Sequence, residues 1–375
     1  MRIVFAGGGT GGHLYPGLAI ARAVQRLRPD IEPFFIGARR GIEKDVLPAS
    51  GFPHVLLDLH PLYRSRVWNN WRTLVGLVSA WRGIGRVVRE ERPALVVGTG
   101  GYAAVAALAY AVAHRIPIVE QTGDSLPSLT ARTFAPWARE IYLSFPESRA
   151  RLKAKSSDAL VDTGAPIEPP PNPRPSRESA LRAWGFPSDA TVVLVYGGSQ
   201  GSLAINTAVR DWVRAGLPDG AHLIWGTGTK TFQEFASLES DRVRVRPYLS
   251  PVADSYAVAN LAVARSGTMT LAELMAWHIP AILVPLPTAA ADHQTLNARA
   301  LHDAGAAVHL PQSELSGARL GREVSDLLGN PARAQAMTAA TASRARPDAA
   351  NEIARRIVAL AERPSSQSGT VETSP

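Results

Sequence analysis

The sequence predicts an α/β protein made of two doubly wound domains, each with a parallel sheet covered by helices on both faces. The chain has 375 residues, enough for two domains at roughly 150 residues each. Short apolar strands alternate with helical segments in both halves, which is typical of parallel sheets. Residues 164–175 read GAPIEPPPNPRP, and this run suits a stiff linker because proline disfavours both helix and central strand.

The first half contains five predicted strands and three predicted helices. The strands are short runs of β-branched and other apolar residues at 2–6, 32–36, 55–57, 94–97 and 116–119. The helices have apolar residues at helical spacing and lie at 15–27, 67–89 and 103–114. Together with the residues as far as 163, these segments form the predicted N-terminal domain, 1–163.

The same pattern restarts after the linker and predicts a second domain over residues 176–347. Its strands lie at 191–196, 221–225, 243–245, 261–263 and 281–284, and its helices at 204–215 and 269–278. A last amphipathic helix, 348–362, is expected to pack back on the first domain, and the polar tail 363–375 to be disordered. Ligands of such sheets bind at the carboxyl ends of the strands, so the cleft between the domains is the predicted active site.

The composition excludes several classes of protein. The chain has no cysteine, so disulfides, thiolate metal sites and a cysteine nucleophile are ruled out. Its longest apolar run, 102–113, is shorter than the ~20 residues that cross a bilayer, and we expect a soluble or peripheral cytoplasmic protein. The net charge of +8 comes almost wholly from arginine. This charge suits nucleic acid, an anionic membrane or a phosphorylated ligand, or reflects background composition alone.

Three glycine-rich turns each follow a predicted strand directly. They read GGGTGGH at 7–13, GTGGY at 98–102 and GGSQGS at 197–202. Without a Cβ, glycine lets backbone N–H groups and a helix N-terminus approach an anion, and pyrophosphate is the expected ligand. The alternative is that the glycines only make tight turns. None of the turns matches a P-loop, and IGAR at 36–39 lacks the acidic residue expected for NAD.

Five motifs occur in the order GGGTGGHLYPGLAIA, GTGGY, GGSQGS, RSGTMTLAEL and DHQTLNARAL. As an ordered set between Arg2 and Ala361, they resemble the MurG family of peptidoglycan glycosyltransferases. The resemblance implies a GT-B fold, with UDP-N-acetylglucosamine in the second domain and a lipid acceptor in the first. It implies inverting transfer to the N-acetylmuramic acid 4-hydroxyl of lipid I, giving lipid II at the cytoplasmic face of the membrane. Neither a metal nor a cofactor is expected.

The resemblance also assigns substrate-binding residues. On the donor side these are Ser199, Gln200 and Gly201 at the diphosphate and uridine, Tyr248 and Leu249 at uracil, Arg265, Ser266, Gly267 and Thr268 at the phosphates, Glu273 at the ribose, and His293 and Gln294 at the sugar. The remaining assignments, on the acceptor side and at the hinge, are Thr10, Gly11, Gly12, Gly101, Tyr102, Thr122 and Glu168. Glu273 suits a ribose because one carboxylate can accept hydrogen bonds from two vicinal hydroxyls; the alternative is a capping or surface acid. A helix N-terminus and Arg265 would stabilise the departing diphosphate.

Transfer to a sugar hydroxyl needs a general base, and two residues are candidates. His13 follows the first glycine turn at the mouth of the cleft, and imidazole titrates near neutrality. The alternative for His13 is that it caps the helix or only positions the acceptor. Glu120, expected just beyond a strand end, is the second candidate for the base or for acceptor contact.

The sequence departs from the family pattern around the acceptor and the hinge. VEQT at 119–122 stands where the family usually has His-Glu-Gln-Asn, and GAPIE at 164–168 replaces Gly-Asn-Pro-Val-Arg. The loop 123–131 also lacks the family's asparagine. These changes leave the identity of the acceptor open, whereas the donor motifs are intact.

The predicted helix from Val67 to Arg89 bears on the acceptor as well. Trp71, Val75 and Trp81 repeat at helical spacing, and arginines are interleaved with them. Apolar residues on more than one face, with tryptophan and arginine at the margin, suit a helix that lies on anionic lipid. The alternative is a core helix with solvated arginines, and the polyprenyl acceptor implied by the resemblance favours the membrane.

Three further functions stay open. The first is a transferase with the same donor and a different lipid or glycoside acceptor. The second is a UDP-sugar epimerase, which would need more carboxylates and histidines in the cleft than His13 and Glu120. The third is a nucleic-acid-binding protein, suggested by the basic composition. No recognition motif supports it, so we expect no nucleic-acid partner.

Overall fold

The computed structural model describes residues 1–59, 70–198 and 200–362, with the side chains of 70–79 outside the description. Within these residues the chain forms two sheets, of seven and six strands. All strand pairings within the sheets are parallel. The structure therefore confirms the predicted fold of two doubly wound α/β domains. The tail 363–375, predicted to be disordered, lies outside the described residues.

The first domain alternates strands with helices over the described residues. Its strands are β1 Arg2–Gly7, β2 Glu32–Ala38, β3 His54–Leu57, β4 Leu95–Gly100, β5 Ile118–Thr122, β6 Ala138–Leu143 and β7 Leu160–Asp162. Its helices are α1 Gly11–Leu27, α2 Glu43–Ala49, α3 Asn70–Glu91, α4 Tyr102–Ala113 and α5 Leu129–Phe134. Residues 67–69 of the predicted helix 67–89 lie outside the described residues.

The second domain repeats this arrangement and is followed by a C-terminal helix. Its strands are β8 Thr191–Tyr196, β9 Ala221–Gly226, β10 Val243–Arg246, β11 Ala259–Ala264, β12 Ala281–Leu283 and β13 Ala307–His309. Its helices are α6 Arg177–Trp184, α7 Leu203–Ala215, α8 Phe232–Phe235, α9 Val252–Val258, α10 Thr268–Ala276, α11 His293–Asp303, α12 Gly317–Leu328 and α13 Pro331–Arg344, and the C-terminal helix is α14 Ala349–Glu362.

Both sheets have the strand order of doubly wound folds. The first is ordered β3-β2-β1-β4-β5-β6-β7 and the second β10-β9-β8-β11-β12-β13. The strand order reverses between β1 and β4 and between β8 and β11, where ligands of such sheets bind. Gly12, which follows β1, and Gly198, which follows β8, line the same cavity. The two reversal points therefore face each other across one cleft.

The central strands are buried on both faces, which explains their continuous apolar sequences. Ile3 and Val4 of β1 are at most 1% exposed and belong to apolar clusters on opposite faces of the first sheet. Val192 and Val193 of β8 divide between two clusters in the same way. Helices must therefore cover both faces of each sheet, as the alternating pattern predicts.

The C-terminal helix α14 packs on the first domain, beside α1. Ile353 and Ile357 are fully buried in the same apolar cluster as Leu18 of α1. Arg356 of α14 also pairs with Glu140 of β6 at 3.3 Å. The chain therefore crosses between the two domains twice, once through residues 164–175 and once just before α14.

The proline-rich segment 164–175 packs against the second domain. Ala165 and Ile167 are buried against Ala272 and Ala276 of α10. Because α10 borders the cleft, this packing ties the crossing segment to the second domain at a point close to the site.

Several element boundaries differ from the sequence-based expectations, and two of these differences bear on the candidate site. Strand β5 runs Ile118–Thr122 rather than 116–119, because Pro117 has no N–H to donate to a neighbouring strand. Helix α1 begins at Gly11 rather than at residue 15, which brings its N-terminus to the cleft. The sequence pattern does not predict β6, β7 and β13, which are short or carry charged residues.

Candidate active site in the interdomain cleft

Two adjoining cavities occupy the cleft. The first, of ≈ 340 Å³, is lined by Gly11 and Gly12 of the first domain and by residues of the second domain between β8 and α10. The second, of ≈ 420 Å³, is lined by the third glycine turn and the start of α7. Gly198, Gly267 and Thr270 line both, so the two cavities meet at the N-terminus of α10.

The first glycine turn leaves the N-terminus of α1 open to the cleft. Gly9 has a φ of +87°, a conformation that favours glycine, and the ring of Tyr102 fills the space that a Cβ there would need. Thr10 precedes the helix, but its side chain makes no capping hydrogen bond. The N–H groups of Gly11 and Gly12 are therefore available to a polar ligand in the cavity that these glycines line.

His13 lies in the first turn of α1, over the second glycine turn. A Cβ at Gly100 would be 2.7 Å from Nδ1 of His13, and a Cβ at Gly101 would be 3.1 Å from Cδ2. The hydroxyl of Thr99 donates to the carbonyl of His13 at 2.7 Å and holds this turn against β4. Burial lowers the pKa of the imidazole, and the negative charge of Asp124 opposes that effect. The ring is therefore unprotonated at neutral pH, as a general base must be.

Glu120, the second predicted candidate for the base, lies within β5 and is 2% exposed. The expectation that it stands just beyond a strand end is wrong, because β5 continues to Thr122. Its Oε2 has no hydrogen-bond partner in the part of the chain that the structure describes. Burial raises the pKa of this carboxyl well above its ordinary value. Burial thus favours the protonated form of this carboxyl, and its enclosure within a strand makes it a poor general base.

Thr122 and Glu168, both predicted to bind substrate, line neither cavity. Thr122 is buried at the end of β5, where its carbonyl accepts from the N–H of Ser144. Glu168 forms ion pairs with Arg22 at 2.8 Å and Arg26 at 3.7 Å. Arg22 follows the first residue of α1 by about three turns, or roughly 16 Å along the helix axis. Glu168 therefore lies on the outer surface, a correction of its predicted role.

The third glycine turn approaches the neighbouring strand very closely. Gly201 has a φ of +74°, and a Cβ there would lie 2.1 Å from the carbonyl oxygen of Thr227. Gln200 and Gly201 line the second cavity, as does Ser202, which caps α7 by accepting from the N–H of Ile205. Ser199, predicted at the diphosphate, lies outside the described residues. The turn and the start of α7 present backbone N–H groups to this cavity.

Arg265, predicted to face the phosphates, lines the second cavity but is held by the protein. Its Nη1 donates to the carbonyls of Val284 and Pro285, at 3.0 and 2.8 Å. Its Nη2 donates to Ser202 at 2.7 Å and to Gln312 at 2.6 Å. Burial lowers the pKa of the guanidinium to about 10, so it stays charged. The guanidinium therefore places a positive charge beside the second cavity. Its hydrogen bonds connect the start of α7 to the residues that follow β12.

Glu273 lies on α10 in the wall of the first cavity. Its Oε2 accepts from the hydroxyl of Tyr256 at 2.8 Å, and that hydroxyl lies 3.2 Å from the hydroxyl of Tyr196. Burial raises the pKa of Glu273, and the hydrogen bond from Tyr256 lowers it. Tyr248, which is 61% exposed, and the buried Leu249 line the same cavity. Glu273 and the exposed ring of Tyr248 therefore line the same cavity.

The residues from the last two motifs support the α10 N-terminus. Gly267 precedes α10, and the hydroxyl of Ser266 donates to the carbonyl of Gln294 at 2.8 Å. Gln294 lines the second cavity, and its Oε1 accepts from the N–H of Leu286 at 3.0 Å. His293 contacts the carbonyl of Ala290 through Nδ1 at 2.8 Å and lines neither cavity.

Four polar residues of the cleft have no counterpart among the sequence-based assignments: Tyr196, Tyr256, Asp124 and Asn297. Tyr196 and Tyr256 hold Glu273, although nothing in their spacing indicates it. Thr268, predicted to face the phosphates, places its hydroxyl 2.7 Å from Asp124 of the first domain. Asn297, which follows Gln294 by one helical turn, contacts the same aspartate. These contacts join the two domains beside the cavities.

Comparison with known proteins gives matches over nearly the whole chain. Residues 3–143 match the N-terminal domain of glycosyltransferase family 28, and residues 192–353 match the C-terminal domain of the same family. The UDP-N-acetylglucosamine–N-acetylmuramyl-(pentapeptide) pyrophosphoryl-undecaprenol N-acetylglucosamine transferase of Salinibacter ruber is 40% identical, over 96% of this chain and 97% of the relative. The transferase of the same name from Moorella thermoacetica is 36% identical, over 96% of this chain and 100% of the relative. The crystal structure of Acinetobacter baumannii MurG shares the fold, with a TM-score of 0.77 and 24% identity over 96% of this chain and 99% of that one.

Proposed function

The chain belongs to the MurG family of glycosyltransferases, and we propose that it transfers N-acetylglucosamine from UDP-N-acetylglucosamine to lipid I, which forms lipid II in peptidoglycan synthesis. One observation carries the proposal beyond family membership. The N-terminus of α1, which holds His13, and the N-terminus of α10, which precedes Glu273, border one cavity. Gly11 and Gly12, which directly precede His13, thus lie across this cavity from Gly267 and Thr268, whereas the His13 side chain lines neither cavity.

The second domain supplies the groups that a UDP-sugar needs. The exposed ring of Tyr248 and the backbone of Leu249 would hold uracil, and Glu273 would accept hydrogen bonds from the ribose hydroxyls. The diphosphate would then lie where the two cavities meet, at the N-terminus of α10. The helix dipole, the N–H groups of the third glycine turn and the charge of Arg265 would stabilise the departing UDP.

The first domain supplies the acceptor side of the reaction. His13 would take the proton of the N-acetylmuramic acid 4-hydroxyl as its oxygen attacks the anomeric carbon of the donor. The new O4–C1 bond forms as the bond from C1 to the diphosphate oxygen breaks, with inversion at C1. UDP leaves with the bonding electrons, and the proton remains on the imidazole until it passes to solvent.

The direct test is acceptor-dependent release of UDP in the presence of EDTA. We expect UDP and a lipid-linked disaccharide from UDP-N-acetylglucosamine and a short-chain lipid I analogue, and no UDP without the analogue. Release with another glycolipid but not with the lipid I analogue would show that the departures at Val119 and Thr122 have changed the acceptor. Conversion of the donor to its 2-epimer without any acceptor would contradict the transferase assignment.

We also infer that the enzyme binds peripherally to the cytoplasmic face of the membrane through α3. Among the described helices, none is long and apolar enough to cross a bilayer. Arg82, Arg86 and Arg89 are exposed along one face of α3, at spacings of four and three residues. Ile84 is buried on the opposite side. The side chains before residue 80, including the predicted Trp71, lie outside the description, so the proposal rests on the C-terminal half.

Reversing the charge of the three exposed arginines should weaken binding to anionic vesicles. Each arginine near such a surface contributes about 1 kcal/mol, so we expect Arg82→Glu, Arg86→Glu and Arg89→Glu together to lower the partition coefficient about 100-fold or more. The measurement is sedimentation with phosphatidylglycerol vesicles, and phosphatidylcholine vesicles provide the uncharged comparison. Arg214, Arg322 and Arg333, exposed on the second domain, form a matched control triple. Equal losses in both triples would mean that α3 is not the contact.

A further inference from the structure

Four polar side chains fasten the loop after β5 to the second domain, and we call this group the interdomain clasp: Asp124, Ser125, Thr268 and Asn297. Oδ1 of Asp124 lies 2.7 Å from the hydroxyl of Thr268 and accepts from Nδ2 of Asn297 at 2.9 Å. Oδ1 of Asn297 accepts from both the N–H and the hydroxyl of Ser125, each at 2.9 Å. The clasp therefore joins the first domain to both α10 and α11.

Asn297 uses its full hydrogen-bonding capacity in the clasp. Besides Asp124, its Nδ2 donates to the carbonyl of Ser266 at 3.2 Å, so two donated and two accepted bonds satisfy the amide. The residue is 0% exposed, and a buried amide that lost these partners would be costly. The orientation of the amide is thus determined: it presents a donor to Asp124 and an acceptor to Ser125.

The loop that carries Asp124 approaches the first turn of α1, which holds the proposed base. A Cβ on Gly123 would be 4.0 Å from the carbonyl oxygen of Gly12, the residue before His13. The His13 ring lies over Gly100 at the end of β4, and β4 pairs with β5, which leads into the clasp. The loop that carries Asp124 and the ring of His13 therefore lie at the carboxyl ends of two adjacent strands, β5 and β4.

The charges around His13 single out Asp124. Burial has the largest effect and lowers the pKa of the imidazole, and Asp124 is the strongest of the influences that raise it. Among the other charged groups that face the ring, Glu43 of α2 raises the pKa and His293 of α11 lowers it. Glu43 is buried beneath the first glycine turn and stays with the first domain, whereas the position of Asp124 depends on the second domain.

We propose that Asp124 is a positioning residue for His13: donors from the second domain hold its carboxylate toward the imidazole, where it stabilises the imidazolium formed as the acceptor hydroxyl loses its proton. The proposal rests on the proposed function, because it takes His13 as the base. It adds that domain closure and base strength are coupled. When the domains separate, Asp124 loses the hydrogen bonds from Thr268 and Asn297 that hold it, and His13 becomes a weaker base.

The test is Asp124→Asn, which keeps an acceptor for Thr268 and Asn297 and removes the charge. We expect kcat to fall about tenfold and the KM for UDP-N-acetylglucosamine to change less than about twofold. Removing a negative charge lowers the pKa of His13, so the acid limb of the kcat profile should move to lower pH. Asp189→Asn, a charge loss at an exposed residue of the second domain, is the matched control and should change neither quantity.

A second measurement separates this proposal from the assignment of the base. Histidine-selective NMR, with the His13 signal assigned by its loss in His13→Ala, reports the titration of His13 directly. We expect the midpoint to move to lower pH in Asp124→Asn whether or not His13 is the base. An unmoved titration and acid limb would overturn the proposal, whereas an active His13→Ala enzyme would overturn only the base assignment.

The coupling to closure is tested by a double substitution. Asn297→Ala removes a donor to Asp124, and we expect it to move the acid limb in the same direction. In the Asn297→Ala background, Asp124→Asn should lower kcat by less than the tenfold expected in the wild-type enzyme, because both substitutions disrupt the same interdomain clasp. Ser125→Ala, which removes one hydroxyl bond, serves if Asn297→Ala folds poorly. Full additivity would contradict the coupling.

Discussion

Replacing His13 with alanine is expected to lower kcat by about 10²- to 10⁴-fold, the range typical of a lost general base. The KM for UDP-N-acetylglucosamine should change less than about threefold, because the proposed donor-binding groups lie on the second domain. UDP release at saturating donor and acceptor is the measurement. His54→Ala is the matched control, since His54 is a half-buried histidine of β3, the edge strand of the first sheet on the side away from β5.

The pH profile of the unmodified enzyme gives the same prediction a second readout. Burial lowers the pKa of His13 from the ordinary value of 6.5, so its unprotonated form persists to lower pH than that of a free imidazole. The acid limb of kcat/KM should therefore have its midpoint below 6.5, and this limb should be absent from the residual activity of His13→Ala. A variant that kept half of the activity, with the limb unchanged, would mean that another group is the base.

Glu120→Gln separates the two predicted candidates. Glu120 is 2% exposed within β5 and is less accessible to an acceptor than the half-buried His13, so we expect this isosteric change to leave the pH profile as it is. If Glu120→Gln rather than His13→Ala abolished the acid limb, the roles would be the reverse of those proposed.

The second large effect is expected at Glu273. Replacing it with alanine should raise the KM for UDP-N-acetylglucosamine about 100-fold, because each hydrogen bond to a charged group contributes roughly 1.5–3 kcal/mol. Most of the loss should appear in KM, since the ribose lies away from the reacting bond. Glu178→Ala, at an exposed acid on α6 of the same domain, is the control for a general effect of charge.

Donor analogues show whether Glu273 acts at the ribose. The wild-type enzyme should bind UDP more tightly than 2′-deoxy-UDP, and Glu273→Ala should bind the two almost equally. Tyr256→Phe removes a hydroxyl that donates to Glu273 at 2.8 Å, so a smaller rise in KM is expected there. If Glu273→Ala kept the wild-type preference for the 2′-hydroxyl, the ribose assignment would be wrong.

Much of the fold follows from local sequence patterns. Strands 2–6, 32–36 and 191–196 were predictable because central parallel strands are buried on both faces and read as continuous apolar runs. Strand β6, whose sequence is AREIYL, lacks such a run. Its place in the sheet depends on pairing with β5 and β7, and pairing between segments distant in the chain leaves little local signal.

The site residues divide in a similar way. The glycine turns were predictable because a tight turn that packs closely on its neighbours needs residues without a Cβ, as at Gly9 and Gly201, and this need involves only a few consecutive positions. Glu168 was misplaced because the family pattern has a cation there, whereas in this chain the carboxylate pairs with Arg22 of α1. That pairing depends on the path of residues 164–175 between the domains.

The sequence alone determined that this protein has two Rossmann-like domains, glycine-rich turns after β1, β4 and β8, and a histidine at the first of these turns. Only the tertiary structure decided that Glu273 is held by Tyr256 and that Asp124 bonds to Asn297 of the facing domain. The Asp124–Asn297 contact joins residues 173 positions apart. Such contacts arise from the docking of two separately packed domains, and neither the period of a strand nor that of a helix encodes that docking.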